Sequence, residues 1–351
     1  MSLFDKMLKD NETLFLNPVA LDYDYQPKLV PYRENHQKYV ASCIKPLFQN
    51  RNGKNLLVFG KPGVGKTVSI RHVLNELEEY EDKTATIFIN CWKKDTTHKI
   101  VVDICEQIGY TWTQNKNTDD LIREITKILN KKSAVIVLDE FDKLNDLQIV
   151  YTILEDIYKK TIILITNETN FITKLDPRIK SRLILDQLEF KPYSLEETEG
   201  ILRERRDFAF IPNIFDEQGL KLIVKKTFET GDVRLGLFLL KESANIAENS
   251  SLRKVANEHI NEAIAKLDDF KKNDLDQEYN ELLEVIKNNS GKTTKEVFDY
   301  YSKINNMAYR TFQRKVKDLE SSGMISLDEV NDGKSRTFLV NFKTSLRKPV
   351  D

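Results

Sequence analysis

The chain has 351 residues, 40% of them hydrophobic and 31% charged, with a formal net charge of −1. That balance excludes a disordered chain and a membrane protein. Near-neutrality excludes a polycation, so any nucleic-acid surface must be a local patch.

The length exceeds one ordinary core and predicts two or three domains. No apolar run reaches membrane-spanning length. The opening MSLFDKMLKDNETLF has neither the basic start nor the apolar stretch of a signal peptide. Cys43, Cys91 and Cys105 are few, odd in number and without metal spacing, which suits reduced, buried thiols in the cytoplasm.

Residues 1–33 read as an extended arm, with helical periodicity from Glu34. Then strands and helices alternate. NLLVFG (55–60), TATIFIN (84–90), SAVIVLD (133–139), TIILITN (161–167) and RLILDQLEF (182–190) are the strands. Helices are predicted over Lys66–Glu79, Thr97–Ile108, Thr118–Leu129 and Gln148–Tyr158. Continuous apolar strands separated by helices indicate an α/β fold with a parallel sheet covered on both faces. This base domain spans 34–191. From 192 to 272 the chain is helical throughout, ending in a polar linker, DDFKKNDLDQ. Residues 275–351 mix helices with a hairpin and form a third unit.

Between the first strand and its helix lies GKPGVGKT, a match to G-x-x-x-x-G-K-[ST]. In it Gly60, Pro62, Gly63, Val64 and Gly65 form the turn, and Lys66, Thr67 and Val68 open the helix. Glycines let backbone N–H groups curl round a phosphate, and the helix N-terminus adds a positive dipole end. Lys66 is placed for the β- and γ-phosphates of ATP and Thr67 for Mg²⁺. Asp139 ends a buried strand as an acidic partner for Mg²⁺, and Glu140 beside it is placed to polarise the attacking water. Two acids capping the next helix are the competing reading. Asn167 ends the next strand at the same sheet mouth, either to touch the γ-phosphate or simply to satisfy its own turn. Arg182 and Arg178 precede the fifth strand, where an arginine can reach a neighbouring subunit's nucleotide in trans or form a surface ion pair. Arg234 lies in the first turn of a helix capped by Asp232. A cation there opposes the helix dipole, which makes sense if an anion sits in front of it.

In the last unit, TTKEVFDYYSKI and AYRTFQRKVKDL read as helix–turn–helix, the first over Thr294–Ile304 and the second from Ala308. Phe312, Val316 and Leu319 form a buried stripe. Arg310, Thr311, Gln313, Arg314 and Lys317 project elsewhere, suited to base edges and phosphates. Gly323 closes the helix. MISLDEV and SRTFLVNF pair across Asn331-Asp332-Gly333, a wing with Lys334 and Arg336 at its tip. A basic helix face is also often only solvated, and such units also bind proteins.

The order of P-loop, Asp-Glu, Asn, arginine and a helical lid with G-D-x-R resembles the AAA+ ATPases. LVPYRENHQKYV, FINCW, LDEFDKL, TNETNFITKLDPRIKSRL and GDVRLGLFLLKESANIAE, followed by a winged helix, are similar to one branch. That branch is the archaeal replication initiators of the origin-recognition-complex/cell-division-cycle family, and the resemblance covers about residues 28–345. It implies a sheet of order 5-1-4-3-2 and VPYRENH near adenine, with Val30, Tyr32 and Arg33 among the nucleotide-binding residues. It implies a DNA-touching helix over Gly109–Leu121, a stretch poor in basic residues. It also implies double-stranded origin DNA, the replicative helicase and paralogous initiators as partners, a nucleoid-associated cytoplasmic location and slow, switch-like hydrolysis of ATP to ADP. Two other readings stay open: a nucleotide-switched regulator whose winged helix binds protein, and a clamp-loader-like ATPase.

Overall fold

Strands rich in Val, Ile and Leu with no polar alternation can be stable only when covered on both faces. In the computed structural model, which describes residues 13–168, 171–273, 277–305, 307–331 and 336–343, the central strands are, while the edge strand Asp186–Glu189 has no fully buried residue. Strands β1 (Leu56–Phe59), β2 (Thr84–Asn90), β3 (Ser133–Asp139), β4 (Lys160–Thr166) and β5 (Asp186–Glu189) pair in parallel, in the order β2-β3-β4-β1-β5. This is the order expected from the resemblance. Every residue of β3 is buried. The order sets the C-terminal ends of β1, β4 and β3 side by side, which brings the glycine turn, Asn167 and Asp139 to one mouth.

Helix α1 (Glu34–Ile44) precedes the sheet, and the crossover helices are α2 (Lys66–Tyr80), α3 (Thr97–Gln107), α4 (Thr118–Leu129), α5 (Gln148–Asp156), α6 (Phe171–Lys174) and α7 (Pro177–Leu183). One core layer packs Ile100, Ile104, Leu121, Ile125 and Ile153 against the sheet, and the other packs Val40, Ile44, Ile70, Val73 and Leu74. Each such side chain contributes about 1.5–3 kcal/mol on burial.

The fifth strand is shorter than its sequence suggests. Asp176 accepts a hydrogen bond from Arg178 N at 2.8 Å and Pro177 occupies the first helical position, so Arg182 and Leu183 are helical. Ile184 then adopts φ 42, and only Asp186–Glu189 pair with β1. Gly109–Leu121 is corrected as well. Residues 109–117 form a loop, and α4 begins only at Thr118, where Asn117 caps it through Asp120 N at 2.8 Å.

The helical part contains α8 (Leu195–Ala209), α9 (Glu217–Thr230), α10 (Val233–Asn249) and α11 (Asn257–Asn273). Ser194 and Glu197 form a capping box on α8, and Gly231 at φ 70 ends α9. Helix α11 runs on into the expected linker, because DDFKKN contains neither Gly nor Pro to stop it; residues 274–276 lie outside the described residues. The arm is tied down: the N–H groups of Leu16 and Asn17 donate to Ala209 O, and Leu14 N donates to Glu248.

The chain divides into two units between Ala263 and Ile264. The second holds α12 (Gln277–Asn288), β6 (Lys292–Thr293), α13 (Thr294–Tyr301), α14 (Tyr309–Ser321), β7 (Ile325–Asn331) and β8 (Arg336–Phe342). Its antiparallel sheet runs β6-β8-β7. Leu282, Ile286, Val297, Tyr301, Phe312, Val316, Leu319 and Val340 are its core. Helix α13 stops at Tyr301, three residues before Ile304, which is exposed. Among the described residues, no helix is long and apolar enough to cross a membrane.

Candidate functional site

Gly63 and Gly65 sit at φ 73 and φ 88, where a side chain would be strained. Added Cβ atoms would meet Asp232 Oδ1 at 1.8 Å and Tyr193 Oη at 2.5 Å. Helix α2 starts from Gly65 with no side-chain cap and no acid in its first turn. Its leading N–H groups and dipole are therefore left for an anion.

Lys66 Nζ donates to Gly60 O, Lys61 O and Asn167 Oδ1, each at 2.8 Å. Burial pulls its pKa down to about 8, against the Glu140 and Asp139 carboxylates. Asn167 Nδ2 donates to Glu140 Oε2 at 2.7 Å, so one amide joins Lys66 to Glu140. Glu140 has φ 53, a backbone conformation that costs a non-glycine residue on the order of 1–3 kcal/mol and persists where the surroundings enforce it. Thr67 Oγ1 donates to Asp139 Oδ2 at 3.0 Å. Burial raises the Asp139 pKa to about 6, opposed by that hydroxyl.

These groups open into a cleft of about 560 Å³, a volume suited to a nucleotide. Helices α8 and α10 contribute Ile201, Arg205, Val233, Arg234 and Leu237, and the arm contributes residues 22–27 and 29–31. Val233 N reaches Gly63 O at 3.4 Å. Asp232 caps α10 through Arg234 N at 3.0 Å and holds the Arg234 guanidinium at 3.0 and 2.8 Å. That hydrogen bonding keeps the Arg234 pKa raised. Gln26 Nε2 donates to Val68 O at 2.9 Å, and the Arg205 guanidinium lies 4.8 Å from the centre of the Tyr25 ring.

Among the described residues, no group of three or more His, Cys, Asp or Glu could hold a metal ion. The Thr67 hydroxyl and Asp139 carboxylate nevertheless fit Mg²⁺, a hard cation that binds through one or two carboxylates plus substrate phosphates. A bound nucleotide would complete the donor set.

An AAA domain model matches residues 49–172, and a Cdc6 AAA+ ATPase-type lid domain model matches residues 199–265. The ORC1-type DNA replication protein 1 of Sulfurisphaera tokodaii is 30% identical over 92% of this chain and 88% of its own. The chain belongs to the ORC1-type DNA replication protein family. The corresponding Archaeoglobus fulgidus protein is 31% identical over 76% of this chain and 69% of its own. Two solved structures share the fold. Aeropyrum pernix ORC1 in complex with DNA has a TM-score of 0.73 at 24% identity, covering 93% of each chain. Pyrobaculum aerophilum Cdc6p has a TM-score of 0.66 at 16% identity, covering 94% of this chain and 95% of its own. This ORC1-type chain is thus an AAA+ ATPase and a nucleotide-binding protein of the replication-initiator type.

The other expected site residues of this ORC1-type chain separate into groups. Val30 lines the cleft, but Tyr32 and Arg33 do not. Tyr32 sets its hydroxyl against Gly200. Arg33 donates instead to Val64 O in the glycine turn and to Lys191 O. Arg182 pairs with Glu155 and lies 5.1 Å from the centre of the Tyr151 ring, outside the cleft of its own chain. On α14, Arg310, Gln313, Arg314 and Lys317 are exposed and Thr311 half-buried, opposite the buried Phe312, Val316 and Leu319. Lys315, on the same helix, is buried against the Tyr279 ring at 4.7 Å. Lys334 lies outside the described residues; Arg336 opens β8 opposite Asn331. Sequence reasoning missed Asn90, Arg71, Tyr193, Glu204 and Arg205 as cleft residues. Asn90 ends β2 as Asn167 follows β4, a signal that could have been used; Arg205 carries none.

Proposed function

We propose that this chain is an ATP-switched initiator that grips duplex origin DNA through its winged unit and helps to recruit the replicative helicase in the nucleoid. The Lys66–Asn167–Glu140 hydrogen-bonded chain carries this reading. It joins the group that would hold phosphate to the group that would handle water. In this reading the N–H groups of Gly63 to Thr67 receive the polyphosphate, and Lys66 exchanges the Gly60 and Lys61 carbonyls for phosphate oxygens. Thr67 and Asp139 hold Mg²⁺, which neutralises charge on those oxygens when bound. Glu140 orients the attacking water and takes its proton. Arg234 leaves Asp232 for the terminal phosphate, so the lid reports which nucleotide is present. Hydrolysis is slow because Glu140 and Arg234 both have partners to give up first. Arg182 serves a neighbouring subunit's nucleotide in trans.

The exposed basic face of α14 supports duplex binding, as do relatives named for DNA replication and a fold shared with a protein solved on DNA. Arg310, Thr311, Gln313 and Arg314 read base edges, while Lys317 and the wing residues Lys334 and Arg336 contact phosphates. A duplex titration across salt concentrations tests this. We expect affinity to fall steeply with salt and to drop in Arg310→Ala/Arg314→Ala. Salt-independent or unaltered binding would favour a winged unit that docks on protein.

A further inference from the structure

Arg33 is a buried cation whose hydrogen bonds, among the described residues, reach backbone carbonyls and no carboxylate. It is 4% exposed and its guanidinium lies 3.9 Å from the centre of the Tyr193 ring and 5.2 Å from that of Phe190. Nε donates to Val64 O at 3.2 Å, and Nη2 donates to Lys191 O at 2.6 Å. A buried guanidinium is costly to desolvate, so a site that keeps one uses its fixed fork. Here the fork joins the glycine turn to the segment that leads from β5 into α8.

The grip on Val64 O has a geometric consequence. No peptide in the described chain is cis. A trans peptide sets its C=O and the next N–H antiparallel. Holding Val64 O therefore aims Gly65 N–H away from Arg33. Gly65 lines the cleft and Arg33 does not. Gly65 also has the backbone freedom to turn if released, at φ 88 with no side chain to stop it. Tyr193 completes the brace, its hydroxyl packed where a Gly65 Cβ would be.

We propose that Arg33 is a positioning residue that fixes the Val64–Gly65 peptide with its N–H facing the nucleotide phosphates, and ties that peptide to the base–lid connection through Lys191. The proposal rests on reading the glycine turn as the phosphate cradle. It predicts a phosphate-specific defect. Losing Arg33 weakens ATP and ADP alike and leaves adenosine untouched.

The test measures binding of ATP and ADP, and adenosine by competition, to the full chain and to Arg33→Ala, Arg33→Lys and Lys66→Ala. One misdirected charge-assisted N–H predicts a rise in the Kd of ATP and ADP of roughly 10- to 100-fold in Arg33→Ala. Millimolar guanidinium should recover much of it, and Arg33→Lys, which can reach one carbonyl, should fall between. If Arg33→Ala does not fold, Arg33→Lys reads the same quantity. Unchanged ATP affinity in a folded Arg33 variant overturns the proposal, and so does equal weakening of ATP and adenosine. Lys66→Ala separates the premise: if it binds ATP as the wild type does, the cradle reading itself fails.

Discussion

Removing the Asp232 carboxylate should loosen the nucleotide-free protein yet strengthen its hold on ATP. Asp232 does two jobs in the structure: it caps α10 through Arg234 N and it holds the Arg234 guanidinium by two hydrogen bonds. Losing a cap of this kind costs about 0.5–2 kcal/mol. The ion pair, with its side chains 49% and 29% exposed, adds only about 0.2–1 kcal/mol. Asp232→Ala should therefore lower stability by roughly 1–2 kcal/mol, a fall of about 2–4 °C in Tm per kcal/mol for a unit of this size. The effect on ATP has the opposite sign. Arg234 no longer has to leave a carboxylate, and the gain is bounded by that pair, about 1.4- to 5-fold in Kd. ADP, lacking the terminal phosphate, should gain nothing. Calorimetry without nucleotide and anisotropy titrations with ATP and ADP measure the two arms. Falling ATP affinity in a folded variant would refute the idea that Asp232 restrains Arg234.

Asn167→Ala breaks two hydrogen bonds to charged groups, so phosphate release should slow by roughly 10- to 100-fold while ATP still binds; unchanged turnover would remove Asn167 from the reaction. Glu140→Gln should keep ATP bound and unhydrolysed, read as retained nucleotide after rapid desalting. Because the Lys66 pKa lies at about 8 without ligand, and phosphate favours the charged lysine, ATP binding between pH 8 and 9 should take up a proton. Calorimetry in two buffers of different ionisation enthalpy detects it, and equal enthalpies would contradict it. Arg314→Ala should cost about 1–3 kcal/mol on its preferred duplex and less on random sequence, whereas Lys317→Ala should weaken both alike.

The base domain was legible because its signals are local and redundant. Seven consecutive buried residues in β3, ended by Asp139, could hardly be anything but a central strand. The glycine turn carries its own conformational demand at Gly63 and Gly65. Arg182 shows where local reading fails: RLILDQLEF has strand composition, but the Asp176–Pro177 start wins over propensity and keeps Arg182 helical. Arg33 is a different case. Its residue type suits a phosphate contact equally well, and only the fold shows its fork on Val64 and Lys191. Arg205 and Tyr193 enter the cleft because helices of the lid pack over it, a long-range outcome with no short-range mark. In the winged unit the stripe Phe312, Val316 and Leu319 fixed the face correctly, yet Lys315 folds inward against Tyr279.

The most direct measurement of the initiator assignment is a genome-wide map of where the protein crosslinks to DNA in growing cells, made in parallel with a map of replication starts. The account predicts peaks that coincide with those starts and vanish in an Arg310→Ala/Arg314→Ala strain. Peaks confined to promoters, or none above background, would contradict it.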